Sequence, residues 1–360
     1  MKNIYAYLLL SLVSVAGIAQ IPNGYYNSAT GTGYTLKNQL HNKIKNHNTI
    51  QYTPGLWNLY PSTDKKPNGK VWDIYSNCDF TFGAVSNGGN QDNGTGGNVE
   101  CQLYNREHTF PKSWFNDATP MYSDAFHVMP TDKKINGLRG NMAYGKVAAN
   151  ATPISSNGCK IGNNVAPDGP ALIVFEPADE YKGDIARTYF YMATCYQDVV
   201  SGWKNNNPNG AAFLDGSSDR VYQQWSLDLL YSWHVADPVS AKEIARNNAV
   251  YAVQNNRNPF IDHPEYVFSI WGQALSNPEY ILLNNIAVYP NPSNDHKINI
   301  QSDVQIDGID LINLNGQLLQ QIKKPVLQDR TYTVENLPSG FYLMKITSDK
   351  QTVTKKVIIN

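Results

Sequence analysis

From residue 286 onward the chain changes texture, and that change limits its fold more than any other feature. Residues 286–360 break into short runs of alternating apolar and polar side chains: HKINIQSD, GIDLINL, GQLLQQI, TYTVENL, GFYLMKIT and TVTKKVIIN. Turn residues such as Asn315-Gly316 and Pro338-Ser339-Gly340 separate them. Period-two alternation bounded by Gly, Pro and Asn makes antiparallel strands, and a series of such short strands packs as a small all-β sandwich. Residues 20–285 read as a mixed α+β domain, because Gly/Asn-rich loops such as Ser86 to Asn98 alternate there with helical patterns. Ile185, Tyr189, Met192 and Tyr196 recur at three- and four-residue steps, which predicts a helix over Lys182–Gln197. Asp237 as N-cap with Pro238 at the first helical position predicts a second over Pro238–Asn255, and Pro130 in a first turn predicts a third over Pro130–Asn136.

The first residues, MKNIYAYLLLSLVSVAGIAQ, place one Lys before an apolar run and then the small residues Gly17 and Ala19. That is the pattern of a secretory signal, with cleavage expected after Ala19. Residues 1–19 are therefore set aside, and no later run is long enough for a membrane span. Four cysteines, Cys78, Cys101, Cys159 and Cys195, remain for an oxidising compartment. None forms a CxxC pair, so disulfides are expected rather than structural zinc. Three pairings are open; proximity in sequence favours Cys78–Cys101 with Cys159–Cys195. With 29 Lys+Arg against 30 Asp+Glu, the formal net charge of −1 excludes a histone-like or polybasic mode of binding. Contact with nucleic acid would have to be local.

Chemistry concentrates in Asn105-Arg106-Glu107-His108 and in Asn136 within KINGLRGN, with DAFHVMP between them. A carboxylate beside an imidazole puts a hard oxygen donor next to a group that titrates near neutrality. A carboxylate with an amide oxygen suits Mg²⁺ or Ca²⁺ rather than zinc, and a histidine beside such an ion can deprotonate a water that attacks a phosphodiester. Spacing alone leaves a structural reading of these residues open.

The segments NREHTFPKSWF and DAFHVMPTDKKINGLRGNMAYG resemble the active-site region of the secreted bacterial endonuclease I family, with further similarity in FEPADEYKGDIARTYFYMATCY and NRNPFIDHPEYVFSIW. The resemblance spans most of residues 20–280. It implies a ββα-metal (His-Me finger) core and divalent-metal-dependent, sequence-tolerant cleavage of DNA, and often of RNA, leaving 5′-phosphate ends. Carried over residue by residue, it makes His108 the general base and Glu107 and Asn136 the metal ligands, for Mg²⁺ or else Ca²⁺ or Mn²⁺. Arg139, three positions beyond Asn136 and on the same helical face, is assigned to phosphate or the leaving group. His127 and Arg187 are weaker substrate-binding candidates, Arg187 having a buried ion pair with Glu180 or Asp184 as its competing explanation. Strand alternation places Arg106 on the face opposite Glu107.

VYPNPSNDHKINIQ, LINLNGQLL, LPSGFYLMKI and KKVIIN resemble the C-terminal sorting domain of the type IX secretion system. That resemblance implies transfer across the outer membrane, then release or surface attachment. The expected organisation is a signal peptide (1–19), a nuclease domain (20–285) and a sorting domain (286–360), acting as a monomer on nucleic acid. Two rivals belong to other classes: an adhesin in which these residues are structural, and a metal-dependent hydrolase of another substrate. A carbohydrate-binding or adhesive sandwich is the alternative for the C-terminal segment, though its strands offer few aromatics for sugar stacking.

Overall fold

In the computed structural model, residues 21–275, 286–302, 305–313, 317–327, 331–348 and 351–360 are described. The expected signal segment and the Asn315-Gly316 turn lie outside them. The chain divides into two compact units, with the break between Gln273 and Ala274.

The first unit opens with helices α1 (Gly33–Ile44) and α2 (Gly55–Thr63). Strand β1 (Tyr104–His108) pairs antiparallel with β2 (Val128–Asp132), and α3 (Lys133–Arg139) follows directly. A second two-stranded ribbon joins β3 (Lys160–Asn163) to β4 (Ile173–Glu176). Then come α4 (Lys182–Cys195), α5 (Pro208–Phe213), α6 (Gln224–Ala236), α7 (Ala241–Gln254), α8 (Pro259–Asp262) and α9 (Glu265–Trp271). Every residue of α4 from Gly183 to Cys195 is buried, so this helix is the centre of the unit; α1, α6 and α8 pack around it. A helix apolar or paired on all sides must be core. Among the described residues no helix is long and apolar enough to cross a membrane.

Two helix starts differ from expectation for identifiable reasons. Ser240, not Asp237, caps α7, in a reciprocal capping box with Glu243. Asp237 is engaged elsewhere: its Oδ2 accepts the Gly183 N–H at 2.8 Å. Pro130 lies inside β2 opposite Arg106, where a ribbon of only two strands tolerates a residue that cannot donate. The helix begins three residues later because Asp132 caps it, its Oδ1 accepting the Ile135 N–H at 3.0 Å.

The second unit is all β. Strands β5 (Ala287–Tyr289), β6 (Ile298–Gln301), β7 (Gly308–Asn313), β8 (Leu318–Lys323), β9 (Thr331–Val334), β10 (Gly340–Ser348) and β11 (Gln351–Ile359) form two sheets, in orders β5-β6-β9 and β11-β10-β7-β8. Alternate residues of both sheets, including Ile298, Ile300, Leu311, Val334, Met344 and Ile346, meet in one aliphatic core.

Cys78 and Cys101 form a disulfide with Cα atoms 5.2 Å apart. The second expected bridge is absent: Cys159 and Cys195 are free and buried. The Cys159 thiol lies against Asn157 and the Tyr75 carbonyl, whereas Cys195, at the end of α4, faces the Ile44 carbonyl. Two thiols held in separate packing environments have no route to each other without moving backbone.

Candidate active site

Asp132 joins three pieces of the site. Besides capping α3 it accepts the Cys101 N–H on Oδ2 at 2.7 Å, so the disulfide-linked loop, the β1–β2 ribbon and the helix share one anchor. With α3 starting immediately at the ribbon's end, Asn136 comes down beside β1, and its Nδ2 donates to Asn105 Oδ1 at 2.8 Å. Gly140, at φ +55°, ends the helix in a conformation that L side chains rarely adopt.

Glu107, His108 and Asn136 line one open cavity of about 580 Å³. Each is fixed at one polar atom and has another in reserve. The Glu107 Oε1 accepts from the Tyr75 hydroxyl at 2.8 Å and from the Arg139 guanidinium, while Oε2 has no hydrogen-bond partner among the described residues. His108 Nε2 lies 2.9 Å from the Tyr122 carbonyl, which can only accept, so Nε2 carries the proton and Nδ1 the lone pair. The amide of Asn136 is committed through its nitrogen, which leaves Oδ1 as an acceptor. Burial pushes the Glu107 carboxyl above the usual carboxylate range, against the opposing pull of Arg139 and Tyr75. Burial also pushes His108 down to about 3, aided by His127, so the ring is a neutral proton acceptor at ordinary pH. Two hard oxygens with spare lone pairs beside a neutral imidazole fit a hydrated Mg²⁺, Ca²⁺ or Mn²⁺.

The remaining expected site residues lie elsewhere or act differently. Arg139 is wholly buried and spends its donors on Glu107 and on the His108, Thr109 and Met142 carbonyls. It holds Glu107 and has no surface with which to reach phosphate. His127 is also fully buried, its Nε2 on the Met121 carbonyl and its ring 5.5 Å from that of His108. Arg187 sits at the centre of the helical core, doubly hydrogen-bonded to Glu243 at 2.6 and 2.8 Å and 3.9 Å from Asp184. Neither His127 nor Arg187 is exposed to a substrate. Arg106, expected on the far face, lines the cavity instead. Strand alternation fixes the direction of Cβ, but a guanidinium four bonds further out can turn back over the ribbon's edge.

Sequence reasoning missed Tyr75, which orients Glu107 from 32 positions away and leaves no local trace. Asn105 was more accessible: two residues before Glu107 on a strand, it shares that face, where it meets Asn136. His47, Asp124 and Cys195 also bring potential ligand atoms within 4.8 Å of one another. Asp124 there is already saturated, accepting from Tyr191, Tyr196, Gln254 and the Phe126 N–H. That cluster ties β2's approach to α4 and α7 by hydrogen bonds.

Residues 32–265 match the family model described as Endonuclease I, and residues 287–360 match that of the secretion system C-terminal sorting domain. An extracellular ribonuclease of Bacillus subtilis is 34% identical over 269 residues, covering 73% of this chain and 83% of the relative. The corresponding Bacillus amyloliquefaciens protein is 33% identical over 253 residues, covering 69% and 78%. An endonuclease-1 of Buchnera aphidicola is 26% identical over 139 residues, covering 39% and 44%. The chain is thus a secreted or cell-surface endonuclease that belongs to the endonuclease I family and carries a type IX sorting domain at its C-terminus.

Proposed function

We propose that the protein is a divalent-metal-dependent endonuclease that hydrolyses phosphodiesters of DNA and RNA with little sequence preference, with β1, β2 and α3 as its ββα-metal core. The observation that carries this reading is the convergence of three spare acceptors, His108 Nδ1, Glu107 Oε2 and Asn136 Oδ1, on one cavity, each with its other end pinned. The name of the Bacillus relatives, extracellular ribonuclease, supports RNA as one substrate, and that of the Buchnera relative, endonuclease-1, supports internal cleavage.

Glu107 and Asn136 would hold the ion, most simply Mg²⁺, which supplies neutralisation of the charge that grows on the phosphate and the departing oxygen. His108 Nδ1 accepts a proton from a water in line with the scissile bond, while Nε2 keeps its bond to the Tyr122 carbonyl and prevents the ring from turning. An anionic phosphate in the cavity raises the proton affinity of that ring by direct Coulomb attraction. The water oxygen bonds to phosphorus as the P–O3′ bond breaks, leaving 5′-phosphate and 3′-hydroxyl ends. Arg139 holds Glu107 in place and offsets part of what burial costs its charge. Residues 1–19 would serve as signal peptide, 20–285 as the catalytic domain and 286–360 as the export domain of a monomer.

Purified protein incubated with supercoiled plasmid, and separately with single-stranded RNA, should cut both in Mg²⁺. EDTA should stop cleavage and restored Mg²⁺ should revive it. Intact nucleic acid under every metal condition would leave the adhesin reading. Cleavage indifferent to EDTA would remove the metal from the mechanism.

A further inference from the structure

Five of the six arginines among the described residues are paired with carboxylates: Arg139 with Glu107, Arg187 with Glu243, Arg220 with Asp215, Arg246 with Asp64 and Arg257 with Asp262. Arg106 is the exception. Its guanidinium carbon lies 3.7 Å from the Tyr52 ring centroid and 4.4 Å from that of Trp57, and Nη1 donates to the Tyr52 carbonyl and to Thr53 Oγ1, both at 2.6 Å. Two π faces and two neutral oxygens fix a guanidinium without cancelling its charge. Its Nε and Nη2 donors have no acceptor among the described residues. The side chain is half-buried and lines the cavity that Glu107, His108 and Asn136 share. Lys112, the other cation on that wall, is drawn to Asp117 at 2.7 Å.

A partly desolvated, immobilised cation without a counter-ion is unfavourable unless an anion completes it. We infer that Arg106 is a substrate-binding residue whose free fork of donors takes a phosphate of the nucleic-acid strand next to the one under attack. Tyr52 gives this clamp its rigidity, since its ring also stacks on His108, with centroids 5.7 Å apart and planes 20° from parallel. The anchored phosphate and the general base are thereby held in one stack. Because a backbone phosphate carries no base information, such a contact positions DNA and RNA alike without selecting sequence. It also provides a local positive site on a chain whose net charge is −1.

The inference rests on the nucleic-acid reading above, and the test separates the two. In a His108→Ala background, binding of fluorescent DNA duplex is followed by anisotropy across a series of NaCl concentrations, with and without Arg106→Gln. Loss of one phosphate contact should make the log–log salt dependence of affinity shallower by about 0.9. In otherwise wild-type enzyme, Arg106→Gln should raise KM more than it lowers kcat. Unchanged slope and KM in a variant of parental melting temperature would overturn the inference. Should Arg106→Gln fail to fold, Arg106→Lys decides. It retains the charge but loses the fork, so KM should rise about fivefold, the effect of one hydrogen bond lost; a parental KM would overturn the inference. If the parent neither binds nor cuts nucleic acid, both readings fall together; if it does both and only the Arg106 effects are missing, the clamp alone is wrong.

Discussion

In the first unit Arg139, Arg187, Arg246 and Arg257 are buried against Glu107, Glu243, Asp64 and Asp262. In the second, the interior is Ile, Leu, Val, Met and Tyr, and Ser293 is the buried polar side chain among its described residues. Buried ion pairs are poor sources of stability, because desolvation consumes most of what the charges gain. An aliphatic core does the stabilising more cheaply. The contrast therefore points to what the charges of the first unit are for: they fix directions. Arg139 aims Glu107, Asp132 aims α3, and Asn105 aims Asn136. A unit whose work is to fold and be recognised for export has no need of such fixtures.

The largest effect that would sharpen this contrast falls on the metal ligands. Glu107→Ala and Asn136→Ala should each slow cleavage at millimolar Mg²⁺ by about 10²–10³-fold, a residual rate that long incubations still resolve, since a bound cation contributes several kcal/mol to the transition state. The double variant should be little worse than the poorer single one, as residues acting on one ion are not additive. Multiplicative losses in gel assays of plasmid nicking would break the shared-ion reading.

Next comes the buried pair remote from the cavity. Glu243→Ala strips the buried Arg187 of both carboxylate hydrogen bonds and leaves only Asp184, 3.9 Å away and shared with Lys242, so it should destabilise the first unit by about 3 kcal/mol in urea unfolding. Pairing Arg187→Met with Glu243→Leu should recover most of that loss. If the double variant were no better, the pair would be a source of stability after all.

A smaller, pH-dependent effect belongs to His234. Its Nε2 donates to the Pro264 carbonyl at 3.1 Å and its Nδ1 faces an Arg187 N–H at 3.4 Å, so the ring is neutral. Burial, with the Arg187 charge beside it, lowers the imidazole to about 4. Unfolded histidine titrates near 6.5, so as pH falls the unfolded chain takes up the proton first. The folded state thus has its full His234 contribution above about 6.5 and loses it progressively down to about 4. Between pH 7 and 5 the loss is about 2 kcal/mol, and His234→Gln should flatten that part of the stability–pH curve. A variant with the parental curve would assign the acid sensitivity elsewhere.

The smallest effect lies in the second unit, where Ile300→Val should cost about 0.5–1.5 kcal/mol by calorimetry and leave nuclease activity per mole unchanged. A drop in activity would mean that the β unit takes part in the chemistry.

Legibility in the sequence follows the same division. The six strands of residues 296–360 could be read directly because alternation against one aliphatic core is a local signal; β5, three residues long, carried too little of it. In the first unit the pattern of α4 was equally plain. His108, Glu107 and Asn136 could be found because their chemistry is concentrated in two short segments that match a family pattern. Their supports could not. Tyr75 reaches Glu107 through tertiary packing, and the helical spacing that put Arg139 on the face of Asn136 says nothing of its depth. Arg106 was misplaced because a long side chain outruns the rule for Cβ. Cys159 and Cys195 were paired by nearness in sequence, which is silent on nearness in space.

The most direct test of His108 as the proton acceptor in this cavity is the single-turnover cleavage rate of His108→Ala, at saturating Mg²⁺ and with metal affinity measured alongside. General base catalysis contributes about 10²–10⁴-fold, so the rate should fall by that factor while the metal still binds and the melting temperature is kept. A rate within a few fold of the parent would contradict the assignment and, with it, the chemistry derived from this site.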